Sequence, residues 1–137
     1  MKNKISLSIV LAALLFALNT HSMQLPEGAT EVSRVAQVDG KTLVLAKRKF
    51  VGQDVVNIYR YNTNNELDDT FGTNGWVAAI GAESAIPQSI EVQPDGKILV
   101  KAIVNEQETK IRFNSNGMID FTFGVAGYKG PEFEKLP

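Results

Sequence analysis

Hydrophobic and polar residues alternate in short runs along most of the chain after residue 22. Ile90 and Val92 fall on one face of an extended segment, with polar residues between and beside them. Ile111 and Phe113 alternate with charged residues in the same way. A period of two is typical of a half-buried β-strand, and no apolar pattern of helical period runs beyond one or two turns here. The sequence therefore predicts an all-β fold.

Turn-forming residues divide the predicted strands into two series of four. Asp39-Gly40 and Asp95-Gly96 supply the positive φ angles that tight hairpin turns require. Each series predicts one four-stranded antiparallel meander. The predicted strands span residues 32–38, 42–49, 55–61 and 76–80 in the first series, and 88–92, 98–104, 109–113 and a short stretch in or after 118–123 in the second.

Two of these strands are apolar on both faces. Residues 43–45 and residues 98–100 are apolar in succession, whereas a strand with one solvated face should alternate. The blades of a β-propeller are each covered by a neighbour on both sides. The pattern therefore favours two blade-like units packed against each other.

The two series also repeat each other in sequence. The copies are 56 residues apart at Asp39 and Asp95, but 52 apart at Arg60 and Arg112. Because insertions concentrate in loops, we expect a longer hairpin loop around residues 50–54 of the first unit. The repeated blocks pair residues 37–41 with 93–97, 42–46 with 98–102, 59–62 with 111–114, and 67–72 with 119–124.

These blocks resemble the delta-60 repeat, a β-propeller-like module of bacterial secreted and surface proteins with no assigned activity of its own. The resemblance covers residues 35–129 and implies blade-like meanders. Val38 departs from the pattern where a proline is expected, and Glu66 is aligned with Gly117. The matching segments are Val-Gln-Pro-Asp-Gly-Lys-Ile-Leu-Val (92–100), Arg-Phe-Asn-Ser-Asn-Gly (112–117) and Asp-Phe-Thr-Phe-Gly (120–124).

The N-terminus predicts a secretory signal peptide. Lys2 and Lys4 precede an apolar run over residues 5–18, which is too short for a bilayer that needs about 20 residues. Small residues favour cleavage after Ser22. The predicted organisation is a signal peptide (1–22), a lead-in with a possible extra strand through Glu31 to Arg34 (23–34), repeat unit 1 (35–80), repeat unit 2 (81–129) and a tail (130–137).

Composition narrows the compartment and the chemistry. A cleaved signal predicts an exported protein, whether periplasmic, cell-surface or secreted, without an integral membrane segment. The formal net charge of −1 gives no footprint for nucleic acid. The chain has no cysteine, and its single histidine, His21, lies within the predicted signal. The exported chain then lacks the side chains for histidine- or cysteine-based nucleophilic catalysis and for the usual zinc sites.

Carboxylates are the remaining candidates for catalysis, because a glycosidase needs only two of them. Asp68 and Asp120, however, occupy the same position in both repeats, which favours a turn-capping role. We therefore predict no catalytic or cofactor-binding residues, and keep a carboxylate-dependent enzyme acting on glycans as the alternative. The carboxylates considered are Asp68, Asp69, Asp120, Glu91 and Glu106.

Calcium is a second alternative. Oxygen-bearing side chains recur at every second residue after the third strand of each unit, as in loops that bind hard cations. Asparagine side chains equally stabilise hairpin turns by bonding their own backbone, and this interpretation is favoured. The calcium candidates are Asn62, Asn64, Asp68, Asn114, Asn116 and Asp120, with Glu66 as a further oxygen donor.

Aromatic residues are the candidates for binding a partner. Tyr59, Tyr61, Phe113, Trp76 and Tyr128 could stack on sugars, but Tyr61 and Phe113 fall at equivalent inward strand positions that favour core packing. Trp76 and Tyr128 follow a glycine in each repeat and are the candidates for partner contact. The basic run 47–49 is interpreted as a solvated strand end.

Closed propellers have four to eight blades. Two blades alone would leave sheet edges and outer faces uncovered. Self-association through edges, a capped pair and a remnant of a longer propeller all answer this need. The sequence predicts an exported, non-enzymatic binding or scaffold module whose protein or glycan partner is unknown.

Overall fold

The computed structural model describes residues 21–82, 85–131 and 133, and all of its regular elements are strands. Each forms where the alternating pattern or an apolar run predicts one. Residues 1–20, and with them most of the predicted signal peptide, lie outside the described residues. So does most of the predicted tail. The strands are β1 (Ala29–Ala36), β2 (Thr42–Phe50), β3 (Gln53–Tyr61), β4 (Trp76–Ala82), β5 (Ala85–Val92), β6 (Ile98–Val104), β7 (Gln107–Phe113) and β8 (Tyr128–Lys129).

The strands form two four-stranded antiparallel sheets, each built from consecutive strands in the order β1-β2-β3-β4 and β5-β6-β7-β8. We call the first sheet blade 1 and the second blade 2. The predicted all-β fold of two blade-like meanders is confirmed. The described residues include no helix long and apolar enough to cross a membrane.

The main difference between the blades is a longer second hairpin in blade 1. Both hairpins close with two residues at positive φ, Val51-Gly52 in blade 1 and Asn105-Glu106 in blade 2. The prediction of a longer loop around residues 50–54 is therefore wrong. Instead, β2 and β3 have nine residues each where β6 and β7 have seven. The added pairs Lys49–Asp54 and Phe50–Gln53 continue the ladder.

Three smaller differences concern strand bounds and alignment. Glu31 to Arg34 lie within β1, the first strand of blade 1, so they do not form an additional strand before it. The last strand of blade 2 is β8, which follows residues 118–123, although Ile119 makes one bridge to Phe113. At the turn after the third strand, Asn65 rather than Glu66 matches Gly117, because both adopt positive φ.

The core lies between the two blades. Gly117, at φ +89°, sits against it: a β-carbon there would lie 2.9 Å from the Phe71 ring. Blade 1 contributes Leu43, Leu45, Val56, Ile58 and Phe71, and blade 2 contributes Ile98, Val100, Ala102, Val104, Ile111 and Phe113.

The opposite face of blade 1 has its own apolar cluster. Val44, Ala46, Tyr59 and Tyr61 are buried there, and the segment 23–29 covers them with Met23, Leu25 and Ala29. The Tyr61 hydroxyl donates to the Gln24 carbonyl at 2.7 Å. Burial raises the Tyr61 pKa to about 12. The N-terminal segment thus covers the part of this face that contains Tyr59 and Tyr61.

One cross-strand row distinguishes the matching faces of the two blades. Leu45, Ile58 and Val77 are register partners across β2, β3 and β4, and this apolar row packs into the core. At the same repeat positions, Lys101, Lys110 and Lys129 are partners across β6, β7 and β8. Since strand residues alternate between faces, this lysine row lies on the side of blade 2 that faces away from blade 1.

Candidate functional site

The repeated aspartate of blade 1, Asp68, is the centre of a polar network. Its Oδ2 accepts from Lys41 Nζ and from Arg60 Nε, both at 2.7 Å. Its Oδ1 accepts from the backbone N–H and hydroxyl of Thr70. Burial alone raises the Asp68 pKa, but the bonds from Lys41 and Thr70 and the charge of Arg60 hold it well below its usual range.

Blade 2 repeats this network around Asp120. Its Oδ2 accepts from Lys97 Nζ at 2.8 Å and from Arg112 Nε at 2.7 Å, and Thr122 donates twice to Oδ1. The bonds from Lys97 and Thr122 outweigh burial and lower the Asp120 pKa well below its usual range. Both aspartates therefore stabilise the turn that ends their repeat.

The network of blade 1 also reaches blade 2. Arg60 Nη1 donates to the Ser115 carbonyl at 2.8 Å, and the Gly72 N–H donates to the Asn116 carbonyl at 2.9 Å. The Arg60 guanidinium lies 4.6 Å from the Phe71 ring centre, at the edge of the core. The repeated arginine of blade 1 thus joins the blades.

The remaining carboxylate candidates are dispersed. Asp69, Glu91 and Glu106 are exposed, and they belong to different turns and strands of the two blades. Across the described part of the chain, no group of three or more carboxylate or histidine side chains is close enough to hold a metal ion.

The asparagine-rich turns use their side-chain oxygens locally. Asn64 Oδ1 accepts from the Glu66 N–H, and Asn116 Oδ1 accepts from the Met118 N–H. The Asn62 and Asn114 N–H groups close the same turns by donating to the carbonyls of the residues four positions on. Each turn is therefore stabilised by hydrogen bonds between its own residues, and the second turn also accepts the bonds from Arg60 and Gly72.

The aromatic candidates divide into core and surface. Tyr59, Tyr61 and Phe113 are buried. Tyr128 packs against the core and stacks on Phe133 at 4.9 Å between ring centres. Trp76, by contrast, keeps 37% of its surface exposed beside Tyr59.

Trp76 borders a groove on the outer face of blade 1, beyond the region that the N-terminal segment covers. The groove has a volume of about 300 Å³. Its floor contains Asn57 and Ala78, which are register partners across β3 and β4. The lining residues are Arg48, Phe50, Val55, Asn57, Trp76 and Ala78.

The floor of the groove contains an unsatisfied polar group. Asn57 is 2% exposed, and its Nδ2 donates to the Tyr59 hydroxyl at 3.1 Å. Its Oδ1 has no hydrogen-bond partner among the described residues. Buried polar atoms of this kind are rare and costly.

The hairpin extension of blade 1 builds one wall of the groove. Phe50 belongs to the added residues and is 64% exposed. On the other face of the hairpin, Asp54 pairs with Lys47 at 2.9 Å and with Lys49 at 2.7 Å. The basic run 47–49 therefore contains two lysines that pair with Asp54 across the extension and one groove residue, Arg48.

The sequence indicates Trp76 as a candidate for partner contact, but it gives no reason to place Trp76 beside Phe50, Asn57 and Arg48. These residues lie on one face only because of the strand register. A shift of one residue would turn the side chains of a strand to the opposite face. One signal in the sequence points to this region: the first repeat has four more residues than the second, and they lie in the hairpin of its second and third strands.

Comparison with known proteins adds a partial family match. The family model described as "Domain of unknown function (DUF5122) beta-propeller" matches residues 37–71. This segment runs from the turn before β2 to the Phe71 position of blade 1. No curated protein and no solved structure matches the chain. Over this part of blade 1, the chain is similar to a β-propeller-like repeat family.

Proposed function

We propose that this protein is an exported, non-enzymatic binding module of the delta-60 type, which contacts its ligand through the groove of blade 1. The observation that supports this best is where the two copies differ. Blade 1 departs from blade 2 by the hairpin extension, and the extension supplies Phe50 to a groove that also contains Trp76. Loops and hairpin ends on a rigid scaffold are common positions for binding residues.

The polar networks support a role without catalysis. A catalytic acid of a glycosidase needs a raised pKa, whereas the pKa values of Asp68 and Asp120 are lowered. Both carboxylates are engaged by a lysine, an arginine and a threonine. These contacts are what a structural aspartate requires.

Export can be tested on the protein itself. We expect mass spectrometry of the protein recovered from the periplasm or medium of an expression host to find Met23 as the first residue. Retention of residues 1–22 on a protein found only in the cytoplasm would contradict the export part of the proposal.

The enzyme and calcium alternatives can be tested in parallel. Incubation with oligosaccharides should release no new reducing ends. The midpoint of thermal unfolding should be the same in calcium and in a chelator. Hydrolysis that Asp120→Asn abolishes without unfolding the protein would favour the enzyme, and a midpoint raised by calcium would favour a calcium-stabilised module.

A further inference from the structure

We propose that the groove of blade 1 binds a ring-shaped ligand that carries hydroxyl groups, as a mono- or disaccharide does. The inference rests on the proposed function as a binding module and specifies its ligand class. A volume of about 300 Å³ is at the lower end of the range for small-molecule pockets. It suits a ligand of one or two rings.

The two exposed aromatic side chains determine the shape of the ligand. Trp76 and Phe50 lie on opposite borders of the groove, and both keep a substantial exposed fraction. Flat aromatic surfaces pack against flat apolar surfaces, and the C–H face of a sugar ring is such a surface. A sugar ring held between Trp76 and Phe50 would bury its C–H face.

The Asn57 amide determines the polar chemistry. One end of the amide bonds the Tyr59 hydroxyl, and the other end has no partner in the described residues. The free end of a side-chain amide is an acceptor in one orientation of the group and a donor in the other. A hydroxyl group satisfies either orientation, because it both donates and accepts. An entirely apolar ligand would leave the amide unsatisfied.

Arg48 determines the charge that the groove accepts. Its guanidinium is a donor-only group, and the described residues that line the groove include no carboxylate. A neutral sugar can accept from Arg48 through its oxygens, and an acidic sugar can pair with it. A cationic ligand is disfavoured.

A second copy of the chain is a poor occupant of this face. Blade 1 contacts blade 2 through the face that carries its apolar row. In head-to-tail association, the matching face of blade 2 from a second copy would approach the groove. In blade 2 that face carries the lysine row. Burying these lysines beside Arg48 would be costly, so head-to-tail association does not fill the groove.

Trp76 is the only tryptophan of the chain. It borders the groove and also a second cavity beside Phe113 and Gly117, so the Phe50 variant below is needed to assign a change in its fluorescence to the groove. The purified protein is titrated with maltose, cellobiose, diacetylchitobiose and a galacturonate disaccharide. We expect a saturable change in emission with at least one of them. Phe50→Ala should weaken that binding about tenfold. Phe121→Ala, a matched control at an exposed phenylalanine of blade 2 (69% exposed), should leave it unchanged.

Asn57→Thr tests the polar contact without relying on a variant that unfolds. Thr109 occupies the matching position of β7, so the substitution introduces a residue that blade 2 already accommodates. We expect the thermal midpoint to change little and the saccharide affinity to fall about tenfold.

The outcomes separate this inference from the proposed function. If none of the saccharides changes the emission, and an apolar peptide does so in a way that Phe50→Ala weakens, the saccharide class is wrong and the binding module stands. If neither probe binds, both the inference and the groove-based proposal fail. If binding survives Phe50→Ala and Asn57→Thr, the assignment of the groove is wrong.

Discussion

The apolar row of blade 1 and the lysine row of blade 2 occupy the same place in the same fold. Both are cross-strand rows over the second, third and fourth strands of a sheet. One packs into the core between the blades, and the other faces away from it. The backbone pairs match at these three positions, so the comparison points to the side chains as the reason that this face is an interface in blade 1 and not in blade 2.

The lysine row also has a cost that the apolar row does not. Lys110 is directly opposite both Lys101 and Lys129, and like charges at opposed positions destabilise a sheet. The outer face of blade 2 carries this charged row, whereas blade 1 covers part of its own outer face with residues 23–29.

The largest expected effect comes from removing one residue of the apolar row. Ile58→Ala leaves a cavity between the blades and should lower the free energy of unfolding by about 3 kcal/mol. Lys110→Ala, at the matching position, should change it by no more than about 0.5 kcal/mol. Urea denaturation measures both. Equal losses would show that the two rows are energetically equivalent.

A glycine at the interface provides the second test. Gly117→Ala introduces a β-carbon 2.9 Å from the Phe71 ring at positive φ, whereas Gly96→Ala meets nothing closer than 3.9 Å at a similar φ. Both variants are strained by their φ, so the overpacking is specific to Gly117. We expect Gly117→Ala to be less stable than Gly96→Ala by about 2 kcal/mol, as measured by urea denaturation. The reverse order would contradict the interface.

The two aspartate networks provide the third test. Asp68→Asn should destabilise the protein by about 2 kcal/mol, because Arg60 loses its buried charge partner while it joins the blades. Asp120→Asn should have a smaller effect, since Arg112 is more exposed than Arg60. Thermal unfolding at pH 7 compares them. A larger effect of Asp120→Asn would contradict the coupling between the blades.

The same aspartates predict how stability depends on pH. Their pKa values are lowered in the folded protein, so the folded state favours the ionised form. This stabilisation is fully present above the unfolded pKa of about 4 and is lost as the pH falls through the lowered folded-state values. We expect urea midpoints to decrease below about pH 4 and to decrease less in Asp68→Asn. An unchanged acid dependence would show that Asp68 contributes little.

The smallest effect on unfolding is expected from converting the lysine row into the apolar row. Lys101→Leu, Lys110→Ile and Lys129→Val together remove like-charge repulsion and should change the free energy of unfolding by about 1 kcal/mol or less. The main consequence should be association that increases with concentration in light scattering. A glutamine triple variant controls for the loss of charge and should not associate. Association of both variants would make charge, not apolar surface, the determining factor.

The sequence alone predicted the features that repeat. Two meanders, the Asp-Gly turns and the inward direction of Ile111 and Phe113 all follow from periodicity and turn chemistry, and the structure has them. The sequence predicts a longer loop for the four added residues of the first repeat, whereas they lengthen β2 and β3. Four added residues can lengthen either a loop or a ladder. Which occurs depends on pairings such as Lys49–Asp54 that composition does not reveal.

The candidate site was predicted only in part for a related reason. Trp76 could be identified because it is an aromatic residue directly after Gly75, as Tyr128 is after Gly127 in the second repeat. The unpaired amide oxygen of Asn57 could not, since the burial of Asn57 and its bond to the Tyr59 hydroxyl appear only in the folded sheet. The lysine row likewise appears only after register aligns three separate strands.

The consecutive order of strands in each sheet has a consequence for how the chain folds. Every ladder joins neighbouring strands, so each meander can form from local hairpins with short closures, which is a fast route for a β protein. The bonds of Arg60 and Gly72 to the Ser115 and Asn116 carbonyls connect distant parts of the sequence. Docking of the blades is therefore expected to be the late step of folding, and its reversal the first step of unfolding.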